Sequence, residues 1–482
     1  MKRTNCFVLW MTLLLAGLLL SCQASASPTL TSMPPTASSL SGGETSTASV
    51  APVITPTGIG VPILGIPGAQ AAFRPVDVQA QPIQVVQVLK QIISTDPTQQ
   101  DGVLVDIENP NQNLAIIGTQ CQITGYDAGG AVTETSSFCD LGTLFPGEQR
   151  TLYRYIFNHG STPATRLDFQ ITQQGKPAET NLSSDSLSTE NIHYWPDRGE
   201  VTGVVLNHTD YIFTNPLLTT ALYDAQGNLL AISDISSVSF VPPRGKAAFT
   251  AAGFSNLNLA KVDVTVEIGG NSDLKPLTAG VSTLHVNNTF LIVNQAGYNA
   301  QVYFSVTNPN SDRSLSMVDY QVFAYDAQGQ VLEATQSKTP LIFPGEKTII
   351  AAPEIGLSSG KIIDHVEVQV SPFVQEFQAL DYHVRGLDQN PLSIENCQYQ
   401  SGDSSMKCIL KNSSNNKPSI AVVTVLGFDG SGNVVWASSA RVMNVPVNGQ
   451  ENLTIPVYWA TVGNNRTPVT IEAHANVEGL LP

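Results

Sequence analysis

The sequence predicts an all-β protein: four tandem antiparallel immunoglobulin-like β-sandwiches placed after a disordered linker. Three observations carry that expectation. Apolar and polar residues alternate, as in Gln321-Val322-Phe323-Ala324-Tyr325 and Val366-Glu367-Val368-Gln369-Val370, which is the period of a half-buried strand, and no window holds a convincing helical spacing. Turn residues interrupt these runs every 8 to 15 positions, the pattern of a two-sheet antiparallel sandwich. A set of landmarks then recurs four times with a period of about 100 residues, so the chain is an array.

In chain order, residues 1–21 come first. Lys2 and Arg3 precede an apolar stretch from Phe7 to Leu20, broken only by Thr12 and Gly17, which reads as the n-region and h-region of a secretory signal. The stretch is too short for a transmembrane span of roughly 20 residues. It ends in Leu19-Leu20-Ser21-Cys22, which resembles the bacterial lipobox. The resemblance implies that Cys22 becomes a lipidated first residue and that the mature protein is anchored to a membrane rather than crossing it. The other reading is a secreted protein cut a few residues later, near Ala24 or Ala26. Residues 22–75 follow as a tether of Ser, Thr, Pro, Ala and Gly with one charged residue before Ala72, Glu44. Such a composition cannot bury enough apolar surface to offset its chain entropy. One apolar run inside it, Ile59-Gly60-Val61-Pro62-Ile63-Leu64-Gly65-Ile66-Pro67, could lie against the first domain or a partner, although its Pro and Gly disfavour a regular strand.

The repeats are expected at residues 76–175, 179–272, 277–375 and 388–480. Each contains an Asn that closes an alternating apolar run: Asn109, Asn207, Asn308 and Asn412. An Asp preceded by an aromatic stands 17 or 18 residues later, at Asp127, Asp224, Asp326 and Asp429, and a turn Gly 19 to 21 residues beyond that, at Gly147, Gly245, Gly345 and Gly449. The Asp opens a four-residue connection that always has Gly in fourth place, from Asp127-Ala128-Gly129-Gly130 to Asp429-Gly430-Ser431-Gly432. That is a type I turn followed by a left-handed Gly, a common hairpin connection. A calcium loop would need several more oxygen side chains at fixed offsets. Phe145-Pro146-Gly147-Glu148 and Phe343-Pro344-Gly345-Glu346 read as Pro-Gly turns of type II character.

The segments ending in the aromatic and Asp, Ile123-Thr124-Gly125-Tyr126-Asp127, Thr220-Ala221-Leu222-Tyr223-Asp224, Val322-Phe323-Ala324-Tyr325-Asp326 and Val425-Leu426-Gly427-Phe428-Asp429, resemble the FxLYD family of prokaryotic secreted immunoglobulin-like domains. The second unit keeps Leu-Tyr-Asp outright. None has Phe at the first motif position, and the fourth replaces Tyr with Phe. The resemblance implies an extracytoplasmic β-sandwich and no known catalysis.

Cys121, Cys139, Cys397 and Cys408 remain once Cys6 and Cys22 are set aside. The midpoint of the first two is residue 130, and that of the last two falls between Gly402 and Asp403, both turns, so each pair can bridge across a hairpin in an oxidising exterior. The spacings do not fit a zinc site. Seven scattered His, and no H-E-x-x-H, Walker loop or dinucleotide fingerprint, give no expectation of a cofactor or metal. Gly356-Leu357-Ser358-Ser359-Gly360 matches a nucleophile elbow formally, but that motif needs a strand-to-helix turn and here lies between two expected strands. The aromatic triplet His193-Tyr194-Trp195 is the candidate contact patch, against the alternative that its members pack in the core or against the next unit.

The formal net charge is -16 over 482 residues, from 23 Lys+Arg against 39 Asp+Glu. Loss of Lys2 and Arg3 leaves 21 against 39, or -18. This balance argues against nucleic acid, which needs a basic face. The sequence therefore leads to a lipid-anchored, non-enzymatic protein of a prokaryotic cell surface, acting as a stalk or interaction module. The alternative is a solute- or glycan-binding lipoprotein serving a transporter or cell-wall system.

Overall fold

The structure, a computed structural model, describes residues 72–93, 100–136, 139–157, 163–254, 257–268, 274, 281–293, 299–357, 361–375, 378–381, 387, 389–400, 405–416, 418–459 and 468–480. The expected signal, Cys22 and nearly all of the tether lie outside the described residues, as does Ser358.

The fold is all-β, and every strand pairing is antiparallel. Each of the four sandwiches repeats two sheets. Sheet I joins a hairpin to the strand that follows the second turn landmark: Gln84–Ile92, Gln100–Glu108 and Gln149–Phe157 in the first sandwich, and Leu392–Gln400, Ser405–Asn412 and Gln450–Pro456 in the fourth. Sheet II centres on the strand ending in the aromatic before Asp: Gln120–Tyr126 between Val132–Thr135 and Arg166–Gln173 in the first, and Pro418–Phe428 between Val434–Met443 and Thr470–Leu480 in the fourth. In the second and third the corresponding central strands are Leu217–Tyr223 and Asp319–Tyr325. Strand Phe73–Pro75 pairs with Lys176–Thr180, so folded chain begins inside the stretch expected to be tether; Phe73 stacks on Phe145 at 6.4 Å.

The Asp landmarks behave as turn residues. Asp127 Oδ1 accepts the amides of Gly129 and Ala131, and the other three Asp repeat the pair of bonds at 2.8–2.9 Å. Gly130, Gly227, Gly329 and Gly432 have φ of 76–82°, which side chains rarely adopt. The second turn departs from expectation in two units. Gly147 and Gly345 carry the positive φ, but in the second and fourth sandwiches Arg244 (51°) and Asn448 (46°) take that place. Gly245 and Gly449 stand one residue later, where a Cβ would lie 2.7–2.8 Å from Pro242 or Pro446. There Gly serves close packing, not a left-handed turn.

The Asn landmark holds each sandwich together. Asn109 Nδ2 donates to the carbonyls of Leu114, Leu144 and Phe145, and its Oδ1 accepts from Asn111. Asn207, Asn308 and Asn412 make the equivalent ties. All four are buried, so each satisfies carbonyls that would otherwise be desolvated without a partner.

Two disulfides close the terminal sandwiches. Cys121 bonds Cys139, with Cα atoms 4.9 Å apart, and Cys397 bonds Cys408 at 4.2 Å. An irregularity between Glu395 and Gln398 brings Cys397 opposite Cys408 across the hairpin.

Candidate functional site

The chemistry of this chain concentrates where one sandwich meets the next, and one contact recurs. Thr143, five residues before Glu148, donates its amide to Ile268 of the second sandwich at 2.8 Å. Leu341, five residues before Glu346, donates to Val477 of the fourth at 2.9 Å. Ile268 and Val477 are equivalent, since strand registers Tyr223↔Lys261 and Phe428↔Thr470 place each seven residues after its partner. At the middle junction Phe240, five residues before Gly245, packs with Ile212 and Phe373, and its carbonyl accepts from Gln321. The same face of one unit thus docks on sheet II of the next.

The side chains differ. At the first junction Arg154 makes a two-pronged bond to Glu267 at 2.6 and 3.3 Å, while Thr219 donates to the same carboxylate. Burial pushes the Glu267 carboxyl up, but Arg154, Arg150 and Thr219 more than offset it and hold it below the usual range. Glu148, whose amide-bonded carboxylate lies 3.4 Å from Arg150, goes the other way because burial dominates. At the third junction the equivalents of Arg150 and Glu267 are Thr348 and Asn476, which bond each other at 2.7 Å. A neutral pair there stands where the first junction has a buried cation and a buried carboxylate that pairs with Arg154.

The aromatic triplet lies at the middle junction. Trp195 is 4% exposed, donates to Thr202 at 2.9 Å and to the Val331 carbonyl of the third sandwich at 3.3 Å, and has Lys361 Nζ 3.8 Å above its ring. Arg198 adds bonds to the Leu332 carbonyl and to Glu333. Tyr194 turns back into its own unit, donating to the Phe254 carbonyl and accepting from the Leu257 amide. His193 sits 4.0 Å from the Trp195 ring, and burial with Lys361 lowers its pKa. The triplet is not one exposed patch. Sequence reasoning missed Arg198, Arg154 and Glu267, whose ionic partners lie in a neighbouring sandwich.

A cleft of about 680 Å³ opens between the first two sandwiches, with Gln149 and Thr151 on one wall and Ser188, Thr189, Tyr223 and Thr265 on the other. Its lining is rich in hydroxyl groups. Gly356 lies in a short strand, Ile355–Gly356, paired to Asn299–Thr307, not at a strand-to-helix turn. Among the described residues no group of three His, Cys, Asp or Glu side chains is placed to hold a metal ion, and no helix is long and apolar enough to cross a membrane.

No family model and no curated protein matches the chain. Among solved structures it is similar to alpha-2-macroglobulin of Escherichia coli: the native conformation (8% identity, TM-score 0.12, 85% of this chain and 30% of that one), the trypsin-activated protein (9%, 0.13, 84% and 31%) and the elastase-activated protein (8%, 0.12, 82% and 43%). The chain spans between 30% and 43% of the length of those proteins. TM-scores of this size do not establish a common architecture.

Proposed function

We propose that this chain is a lipid-anchored, non-catalytic surface protein, akin to FxLYD-type extracytoplasmic domains, whose sandwiches form a stiff spacer presenting its far end away from a prokaryotic membrane. The observation that carries the reading is the recurrent junction: one docking mode, used three times and closed each time by buried hydrogen bonds. Jointed units that only needed a flexible link would not bury Glu267 or Trp195. Two experiments test it. Metabolic labelling with a lipid analogue should mark the wild type and not Cys22→Ala; retained label in the variant sinks the anchor. Small-angle scattering should show one narrow distribution of lengths for the wild type. Glu267→Ala removes the carboxylate that neutralises Arg154, which keeps its bonds to the Asp140 and Tyr153 carbonyls, and should weaken the junction by about 3–5 kcal/mol, broadening that distribution. A wild type already as broad as the variant removes the stiff spacer.

A second reading has the hydroxyl-rich cleft in its favour, which suits a neutral glycan. Oligosaccharide binding lost in Tyr223→Ala would support it, and no binding across a glycan array would end it.

A further inference from the structure

The exposed strand of the first sandwich is out of keeping with its equivalents. In Gln84–Ile92, Val85, Val86, Val88 and Leu89 are 38–46% exposed, and every residue up to Gln91 is open to solvent. The equivalent strands Leu187–Trp195, His285–Val293 and Leu392–Gln400 each bury or half-bury most of their apolar residues. Exposed apolar residues elsewhere are mostly scattered singly, which is ordinary; four within five positions are not.

Gln84–Ile92 is the outer strand of its sheet. Register breaks between Val85 and Gln87 and between Val88 and Lys90 leave Val86 and Leu89 as unpaired extra residues. Bulges of this kind discourage pairing with a second copy, and a net charge of -16 adds repulsion between copies. Lys90, the single charged residue of the strand, is already committed to the Leu229 carbonyl.

The upstream chain enters the fold at Ala72, which is buried in the core cluster of the second sandwich, and a relay of contacts links that point to the start of this strand. Phe73 stacks on Phe145, whose carbonyl is held by Asn109. Asn109 binds Asn111, and Asn111 exchanges two 2.8 Å bonds with Gln81, three residues before Gln84. Between Pro67 and Ala72 stand four residues, which reach about 15 Å when extended. We propose that the apolar segment at residues 59–67 is the cover of this strand, its Ile63, Leu64 and Ile66 packing on Val85, Val86, Val88 and Leu89. Arriving at the Gln84 end, the segment runs antiparallel to the strand. Pro62 and Pro67 lack amide hydrogens, and the bulges interrupt the facing edge, so side-chain burial rather than a long ladder holds it. The tether is then free only upstream of about residue 58, which shortens the reach of the sandwiches from their anchoring end. The inference is independent of whether Cys22 carries lipid.

Hydrogen–deuterium exchange on the full chain, corrected for intrinsic rates, tests it. Amides of residues 59–67 and 84–92 should both be protected in the wild type. The triple variant Ile63→Ser, Leu64→Ser, Ile66→Ser should speed exchange of 84–92 at least fivefold, and Val86→Asp with Leu89→Asp should do the same to 59–67. The second to fourth sandwiches serve as internal controls for folding in both variants. Exchange of 84–92 unchanged by the triple variant overturns the proposal. So does a photo-crosslinker at Val88 that captures residues 84–92 of a second molecule in a concentration-dependent way; capture of residues 59–67 within one molecule supports it.

Discussion

The first and fourth sandwiches share one backbone frame and fill the same interior position in opposite ways. In both, a Gly on the central strand of sheet II lies beneath its cross-strand neighbour: Gly125 under Glu134, and Gly427 under Trp436. A Cβ on Gly427 would meet the Trp436 ring at 2.4 Å, and one on Gly125 would meet Glu134 Cγ at 3.1 Å. Trp436 is fully buried, stacks on Tyr399, and belongs to one continuous core running from Leu341 to Val477. Glu134 instead turns both carboxylate oxygens out of solvent toward Asp101, itself fully buried. The core of that sandwich is split into two small clusters, one around Val105 and one around Val103. The frame is therefore fixed by its turns and its buried Asn, while the filling of the core is free to vary with each unit's place in the array.

The largest effect expected from that contrast is at Trp436. Trp436→Ala should cost about 3–5 kcal/mol, and because the array need not unfold in one step, the loss should be read as faster hydrogen exchange confined to the fourth sandwich. Trp436→Phe should cost far less, since among the described residues the indole Nε1 has no hydrogen-bond partner and removing such a buried donor offsets some of the lost packing. Glu134→Ala, the same truncation in the first sandwich, should cost almost nothing. Equal losses at the two sites would show that Glu134 is packed as Trp436 is.

The Asn ties come next and should act alike in both units. Asn109→Ala and Asn412→Ala each leave buried carbonyls unpaired, at about 2–3 kcal/mol for two or three lost bonds. Thermal melts of each variant, resolved by sandwich, check this; a loss below 1 kcal/mol at either site would make the tie incidental. Reduction should remove about 3 kcal/mol from each terminal sandwich in the chain-entropy model, with the Cys121–Cys139 loop of 18 residues losing slightly more than the Cys397–Cys408 loop of 11. The middle two sandwiches should be unaffected by the reductant.

How much of this was legible in the sequence depends on how local the physics is. The Asp turns were readable because Asp127 bonds amides two and four residues on, within its own motif. The disulfides were readable because a hairpin midpoint is a property of spacing. The Asn landmark was visible as a repeat, but its work is done on carbonyls 35 or so residues away, so no local pattern states it. Gly245 and Gly449 were misplaced by one residue because Arg and Asn can occupy a left-handed turn position that the spacing assigned to Gly. Trp195 could not be placed beyond the alternative of core or neighbour, since Val331 and Lys361 meet it only after the second and third sandwiches dock. The hydroxyl-lined cleft depends on docking in the same way.

The smallest effect is the one that separates the terminal sandwiches most sharply by condition. Burial, then the Asp101 charge and the hydrogen bond with Asp101, raise the Glu134 carboxyl from 4.5 to about 7. Among the described residues Asp101 is the acid that raises it, and Gly125 stands opposite Glu134 across the sheet. A carboxyl with a raised native pKa binds its proton more tightly folded than unfolded, so its stabilising share is complete below about pH 4.5 and is lost as pH rises through about 7. Because Glu134 as a whole is half-buried, the loss is of the order of 1 kcal/mol. The protection of strand Gln100–Glu108 should therefore fall between pH 4.5 and 8 after correction for intrinsic exchange, while that of Ser405–Asn412 in the fourth sandwich holds steady over that range. Glu134→Gln keeps the shape and a donor to Asp101 but removes the titration, and should flatten the profile. If the wild type and Glu134→Gln lose protection in parallel, the pH dependence of the first sandwich comes from a group other than Glu134.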